Sequence, residues 1–366
     1  MNNKRNIGID LLRIVCMMMV VTLHVLGHGG IMNATEMFST KYETIWLLEI
    51  FCICAVDCYA IISGYVMCES KIKFSNIVNL WVHVLFYLVS INILSMILVP
   101  GSVGKGTLFY NLFPVTFNYY WYFSSYFGMF LFLPFINKWI ENTSKIEMRK
   151  FLFVSLVIAM TFPVIMQTDP FKFGYGYSMI WLIIMYILGA YIKKFFDIEK
   201  VSACKCIAVY FASVLFLWIN KFIVDYLISR YKPGLGENGS VFIQYNSIFV
   251  IISAVALFLF FVKLDIKGSI LKKIISLMSS VSFGVYLIHE HTIISSRFIE
   301  GISAPFATSS FPVFILKLLG TVVTIYLICS VIDYLRLLLF KALKVKNICI
   351  RIGDGIEKGV DKIIGI

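Results

Sequence analysis

Charged residues are scarce in this chain. Asp, Glu, Lys and Arg make up 14% of its 366 residues. That is too little polar surface for a soluble domain of this length. Histidine is scarcer still, with His24, His28, His83, His289 and His291 the complete set. No His-Glu-x-x-His pattern occurs, which removes the commonest helical zinc-protease signature. The pair Cys204 and Cys206 has no second pair nearby, so a zinc ribbon is excluded. Cys16, Cys52, Cys54, Cys58 and Cys329 sit inside apolar runs, where cysteine is a small hydrophobe, and no disulfide scaffold is expected. No small-residue cleavage pattern follows the first apolar segment, which carries Asp10 and Arg13. It reads as a retained helix rather than a signal peptide.

What the chain has in abundance is hydrophobic length. Hydrophobic residues make up 60% of it, and apolar stretches recur at 9–29, 45–66, 78–99, 120–139, 150–168, 178–193, 204–222, 241–262, 274–294 and 311–340. Stretches of this length cross bilayers. The expected fold is all-α, a polytopic transmembrane helical bundle of about ten helices over residues 1–340. A basic amphipathic cytoplasmic tail, 341–366, is expected to lie on an anionic inner leaflet.

The net charge of +12 does not point to nucleic acid, because its distribution fits a membrane. With the N-terminus inside, 23 of the 32 Lys and Arg residues fall in inner segments and seven in outer ones. That asymmetry follows the positive-inside rule. An even number of spans then puts both termini in the cytoplasm of a cell-membrane protein. Two segments that this orientation puts outside, 100–119 and 223–240, are rich in glycine and proline. They either connect spans or shape an outward-facing acceptor site.

Ionisable residues inside a membrane span are functional candidates because their burial is costly. Arg13 and His24 are eleven residues apart, so they share one helix face, roughly 16 Å apart along the axis. Asp10 precedes Arg13 by three residues, a same-face ion-pair spacing. Asp10 and Arg13 either anchor the helix at the inner interface or serve a site. His24 suits a general base for a hydroxyl, or a transient acyl carrier. His24 and His28 have metal-ligand spacing, but Gly27, Gly29 and Gly30 suggest that the helix is ending there, and no metal is expected. His28 and His291 read as structural histidines held by loop carbonyls.

Four motifs in order resemble the integral-membrane acyltransferase family 3, whose members acylate carbohydrates and other acceptors. The first is Arg13, ten residues, then His24, within Gly8-Ile-Asp10-Leu-Leu-Arg13. The second is Ile61-Ile-Ser63-Gly64-Tyr65. The third runs from Tyr120-Trp121-Tyr-Phe-Ser124 through Leu131-Phe-Leu-Pro134. The fourth is Ser282-Phe-Gly284-Val-Tyr286-Leu-Ile-His289. The resemblance spans nearly the whole chain and implies acetyl-CoA or another acyl-CoA as donor substrate, with no permanently bound cofactor. It further implies His24 as the catalytic residue, with Arg13 near the donor and Asp10 holding Arg13.

The chain departs from the family where many members carry an arginine cluster at the start of the third helix. Here Lys71, Lys73 and His83 stand in that region. Lys71 and Lys73 are candidate donor contacts or ordinary positive-inside residues, since lysine meets phosphate only as a point charge. Tyr120, Trp121, Ser124, Tyr286 and His289 are candidates for lining the acceptor region, or members of an interfacial aromatic belt. The expected activity is O-acylation of a cell-surface or exported carbohydrate (EC 2.3.1.-), in company with polysaccharide-synthesis machinery. A membrane transporter or flippase for a lipid-linked sugar or exopolysaccharide is the alternative, and an assembly subunit a third reading.

Overall fold

The computed structural model describes residues 5–101, 103–104, 106–232 and 239–364. Lys4, Lys105 and 233–238, which entered the expectations above, lie outside the described residues. The described chain is helical, with no strand. Twelve helices carry the architecture: α1 (Ile7–Leu26), α2 (Thr40–Cys52), α3 (Ala55–Met67), α4 (Phe74–Leu98), α5 (Trp121–Asn142), α6 (Lys145–Met160), α7 (Met179–Phe195), α8 (Ala203–Tyr231), α9 (Ile248–Val262), α10 (Ser269–His289), α11 (Phe311–Ala342) and α12 (Val345–Ile364).

Among the described residues seven stretches are long and apolar enough to cross a membrane: Ile7–Leu26, Thr40–Met67, Phe74–Leu98, Lys145–Ile165, Ala203–Tyr231, Ser269–His289 and Phe311–Ala342. The apolar α9 is shorter, at 15 residues, and α7 has 17. Each of the ten expected stretches contains a helix, but several boundaries move. The stretch 45–66 is interrupted at Ile53 and Cys54, between α2 and α3. No glycine or proline marks the break, so periodicity reads through it. The stretch 204–222 lengthens to Ala203–Tyr231 and the stretch 274–294 ends at His289, where a turn intervenes.

Helix α1 forms the centre. Asn6 accepts the Ile9 N–H at 3.1 Å and starts the helix. Around it pack α2, α3, α9, α10 and α11. Close approach depends on small residues, as in other membrane bundles. A Cβ on Gly64 would lie 1.8 Å from the Tyr186 carbonyl oxygen, and one on Gly189 would lie 2.1 Å from that of Ile61. The Ser63-Gly64 motif is therefore the contact that lets α3 and α7 touch backbone to backbone. Gly64→Val should lower the yield of well-folded protein several-fold, read by size-exclusion chromatography in detergent, whereas Ser63→Ala should not.

Helix α12 is amphipathic. Ile348, Cys349, Ile352, Ile356, Val360 and Ile363 share one face at helical spacing. It packs along α4, and a Cβ on Gly353 would meet Ser75 N at 2.4 Å. Its basic character is confined to the first part, because Asp354, Glu357 and Asp361 offset Lys358 and Lys362.

Candidate active site

The C-terminal end of α1 is held by a loop more than 270 residues away. Ser303 Oγ donates to the Val25 carbonyl at 2.6 Å. The Ser303 and Ala304 N–H groups donate to the Gly29 carbonyl at 3.0 and 2.9 Å, and Gly301 N–H to that of His28 at 3.0 Å. Gly29 fits because a Cβ there would collide with Val25 O and Ser303 Oγ. This dock brings His24 beside the end of α10.

Three groups meet there. His24 Nδ1 lies 2.7 Å from Glu290 Oε2 and 2.9 Å from His289 Nε2. His289 Nδ1 lies 2.6 Å from the Val285 carbonyl oxygen. A carbonyl only accepts, so His289 Nδ1 carries the proton and its Nε2 is an acceptor. Both neighbours of His24 Nδ1 are then acceptors, which fixes the proton on that nitrogen. His24 Nε2 is left as the basic nitrogen, with no partner among the described residues. This is the arrangement a general base needs, with the rear nitrogen oriented by a carboxylate. His28 stacks on His24 with centroids 5.1 Å apart and planes 1° apart. Its Nδ1 is 3.8 Å from Glu290 Oε1.

The same atoms of His24, His289 and Glu290 lie close enough together to be considered as metal ligands. His289 Nε2 is hydrogen-bonded to His24 Nδ1 at 2.9 Å, and Glu290 Oε2 stands at ion-pair distance from it, 2.7 Å. Two ligands on one tetrahedral zinc lie roughly 3.3 Å apart. Burial alone would raise the Glu290 carboxyl, but its contacts with His24, His289 and His28 outweigh that and bring it down to about 2. Its stabilising contribution is therefore complete above the ordinary glutamate value of about 4.3 and is lost as pH falls toward 2.

A cavity of about 670 Å³ opens beside these groups and runs along the bundle to Arg13. Its size is ordinary for a small-molecule cleft. Asp10, 1% exposed, accepts from Arg13 Nη1 at 2.9 Å, from Ser279 Oγ at 3.2 Å, and pairs with Arg5. Tyr59 Oη donates to the Arg13 carbonyl at 2.6 Å. Asp10 thus stands behind Arg13 and fixes it, while the other guanidinium donors have no partner among the described residues. Arg13, His24, Trp121 and Tyr286 all line the cavity.

The remaining sequence candidates fall outside the lining. Tyr120 is buried and donates to the Leu287 carbonyl at 2.9 Å. His289 is buried behind His24. The Ser124 hydroxyl is buried, with no partner among the described residues. Lys71 and Lys73 are exposed in the turn before α4. The described residues of 100–119 and 223–240 do not line the cavity either. His28, expected to be a structural histidine, stands instead at the cavity wall. His291 is buried, with Nδ1 accepting from Ile293 N–H at 3.2 Å and Nε2 3.3 Å from Asn92.

Sequence reasoning missed Glu290, Glu49, Tyr177 and Tyr245, all of which line the cavity. Glu290 had one signal, its place between two of only five histidines. His83 joins a separate buried cluster, in which Tyr87 donates to Asp333 at 2.6 Å and Arg336 makes two contacts of 2.8 Å to the same carboxylate. A Cβ on Gly284 would overlap Asp333, so that glycine of the fourth motif makes room for the cluster.

A family model described as an acyltransferase domain matches residues 6–330. The chain belongs to acyltransferase family 3. That match covers Arg13, His24 and Glu290, so the cavity lies within the acyltransferase domain. No curated protein and no solved structure matches the chain.

Proposed function

We propose that this acyltransferase moves an acetyl or similar short acyl group from acyl-CoA to a hydroxyl of a cell-surface or exported carbohydrate. The observation that carries this reading is the single cavity joining Arg13 to the oriented His24–Glu290 pair. The protein sits in the cell membrane with both termini in the cytoplasm. The donor enters from the cytoplasmic side, with its nucleotide against the basic inner face that includes Lys71 and Lys73. The free donors of Arg13 bind oxygen atoms of the donor arm. The sugar enters from the outer side, past Trp121 and Tyr286, with Tyr120, Ser124 and His289 supporting that wall.

His24 Nε2 takes the proton of the attacking hydroxyl. The oxygen adds to the thioester carbonyl, the carbon–sulfur bond breaks, and the proton leaves with the coenzyme thiolate. Glu290 and His289 hold the His24 tautomer through Nδ1 and stabilise the imidazolium formed in between. Purified protein supplied with radiolabelled acetyl-CoA and host glycan should release one thiol for each ester formed. Thiol release with no labelled glycan, or no release at all, would contradict the reading.

A further inference from the structure

Three aromatic rings and one acid form a cup in the cavity wall. The ring centroids of Trp121 and Tyr177 are 4.5 Å apart, and those of Tyr177 and Tyr245 are 4.7 Å apart. Trp121 and Tyr245 lie 6.0 Å apart with planes only 23° apart. Glu49 lines the same cavity, and its Oε2 has no hydrogen-bond partner among the described residues.

The cup is a built feature. Tyr177 follows Gly174, Tyr175 and Gly176, whose φ angles are +60°, +55° and +98°. Glycine adopts these angles freely, but Tyr175 does so only where the surroundings impose it. Asp169 imposes it by accepting the Phe173 and Gly174 N–H groups at 2.8 and 2.6 Å. Gly176 lets the loop reach Tyr245, since a Cβ there would lie 2.3 Å from the Tyr245 Cβ. On the other side, Asn246 donates to the Ala159 carbonyl at 2.6 Å and anchors the loop beside Tyr245. Tyr177 remains 49% exposed, whereas Tyr245 is 5% exposed. One ring of the cup is therefore open while another is packed in place.

We propose that Trp121, Tyr177, Tyr245 and Glu49 form the acceptor subsite and that it takes an uncharged sugar ring. The proposal rests on the acyltransferase reading above and names its acceptor. Aromatic faces match the C–H face of a pyranose, and the Glu49 carboxyl meets its hydroxyls. An anionic sugar has no counter-charge in the cup. Among the described residues the only Lys or Arg that lines the cavity is Arg13, bound to Asp10, and the lining histidines His24 and His28 face Glu290. A uronate there would be desolvated and unpaired.

The test is a tryptophan-fluorescence titration of the purified full chain with methyl glucoside and with methyl glucuronoside, without donor. Wild type should bind the neutral glycoside about tenfold more tightly than the uronate. Trp121→Ala should weaken neutral binding about tenfold, as should Glu49→Leu, whereas Trp121→Phe and Glu49→Gln should retain it. In turnover assays the Trp121→Ala change should appear in the acceptor KM and leave the acetyl-CoA KM unchanged. Equal affinity for both glycosides, or equal affinity in wild type and Trp121→Ala, would overturn the subsite. Selective binding of the neutral glycoside by a wild type that consumes no acetyl-CoA would uphold the subsite and overturn acyl transfer.

Discussion

His24→Ala should reduce transfer from acetyl-CoA by about a thousandfold while leaving the protein folded. The magnitude follows from what a positioned base supplies, about 10²–10⁴ in rate. The loss should fall on kcat, because the base acts on a proton in flight and does little for ground-state binding. The fold should survive because α1 is fixed by contacts on other faces. Its C-terminal end is tied to the Ser303 loop through Val25 and Gly29, and its N-terminal end through Asn6, whose side chain also reaches the Val262 carbonyl at 3.0 Å. Transfer kinetics, with size-exclusion profiles as the folding control, check this. An unchanged kcat would remove His24 from the chemistry.

Glu290→Gln should cost about a hundredfold in kcat. A glutamine at this position offers Nδ1 of His24 a neutral amide in place of a carboxylate, so the imidazolium formed during transfer loses its counter-charge. The loss is smaller than for His24 because His289 Nε2 still accepts from the same nitrogen at 2.9 Å. His289→Ala alone should therefore be mild, and the double variant should lose more than the two single losses combined. Strict additivity of the two losses would show that the groups do not share His24. Steady-state kinetics on the four proteins decide the matter.

Half of the proposed catalytic pair was legible in the sequence, and the reason is geometric. Arg13 and His24 lie on one continuous helix, where an eleven-residue spacing fixes the shared face. The all-helical fold followed from apolar run lengths, and Gly64 and Gly284 sit where two of the four motifs placed them. Glu290 was hidden because its partner is 266 positions away, and its one local signal, a place between His289 and His291, does not say what it touches. Of the aromatic cup only Trp121 was among the sequence candidates, since Tyr177, Tyr245 and Glu49 come from three other segments. Glycine and proline density drew attention to 100–119, yet the loop that reaches the cavity is the one carrying Gly174 and Gly176. There a left-handed backbone at 174–176 leads into Tyr177 at the cavity wall, a property of φ angles that composition does not encode. Asp10 was expected behind Arg13 and is found there, but the Arg5 contact that completes its ion pairing lies across the start of the helix.

The measurement that tests the central claim most directly is the O-acetyl content of the cell-surface glycan, by NMR, in a strain lacking the protein. The strain is complemented with wild type or with His24→Ala at equal membrane abundance. Acetylation restored by wild type alone, with the amount of surface glycan unchanged in every strain, is the result predicted for a histidine-dependent acyltransferase. Loss of the surface glycan itself, with the acetyl content of what remains unaltered, would contradict it and favour a transporter.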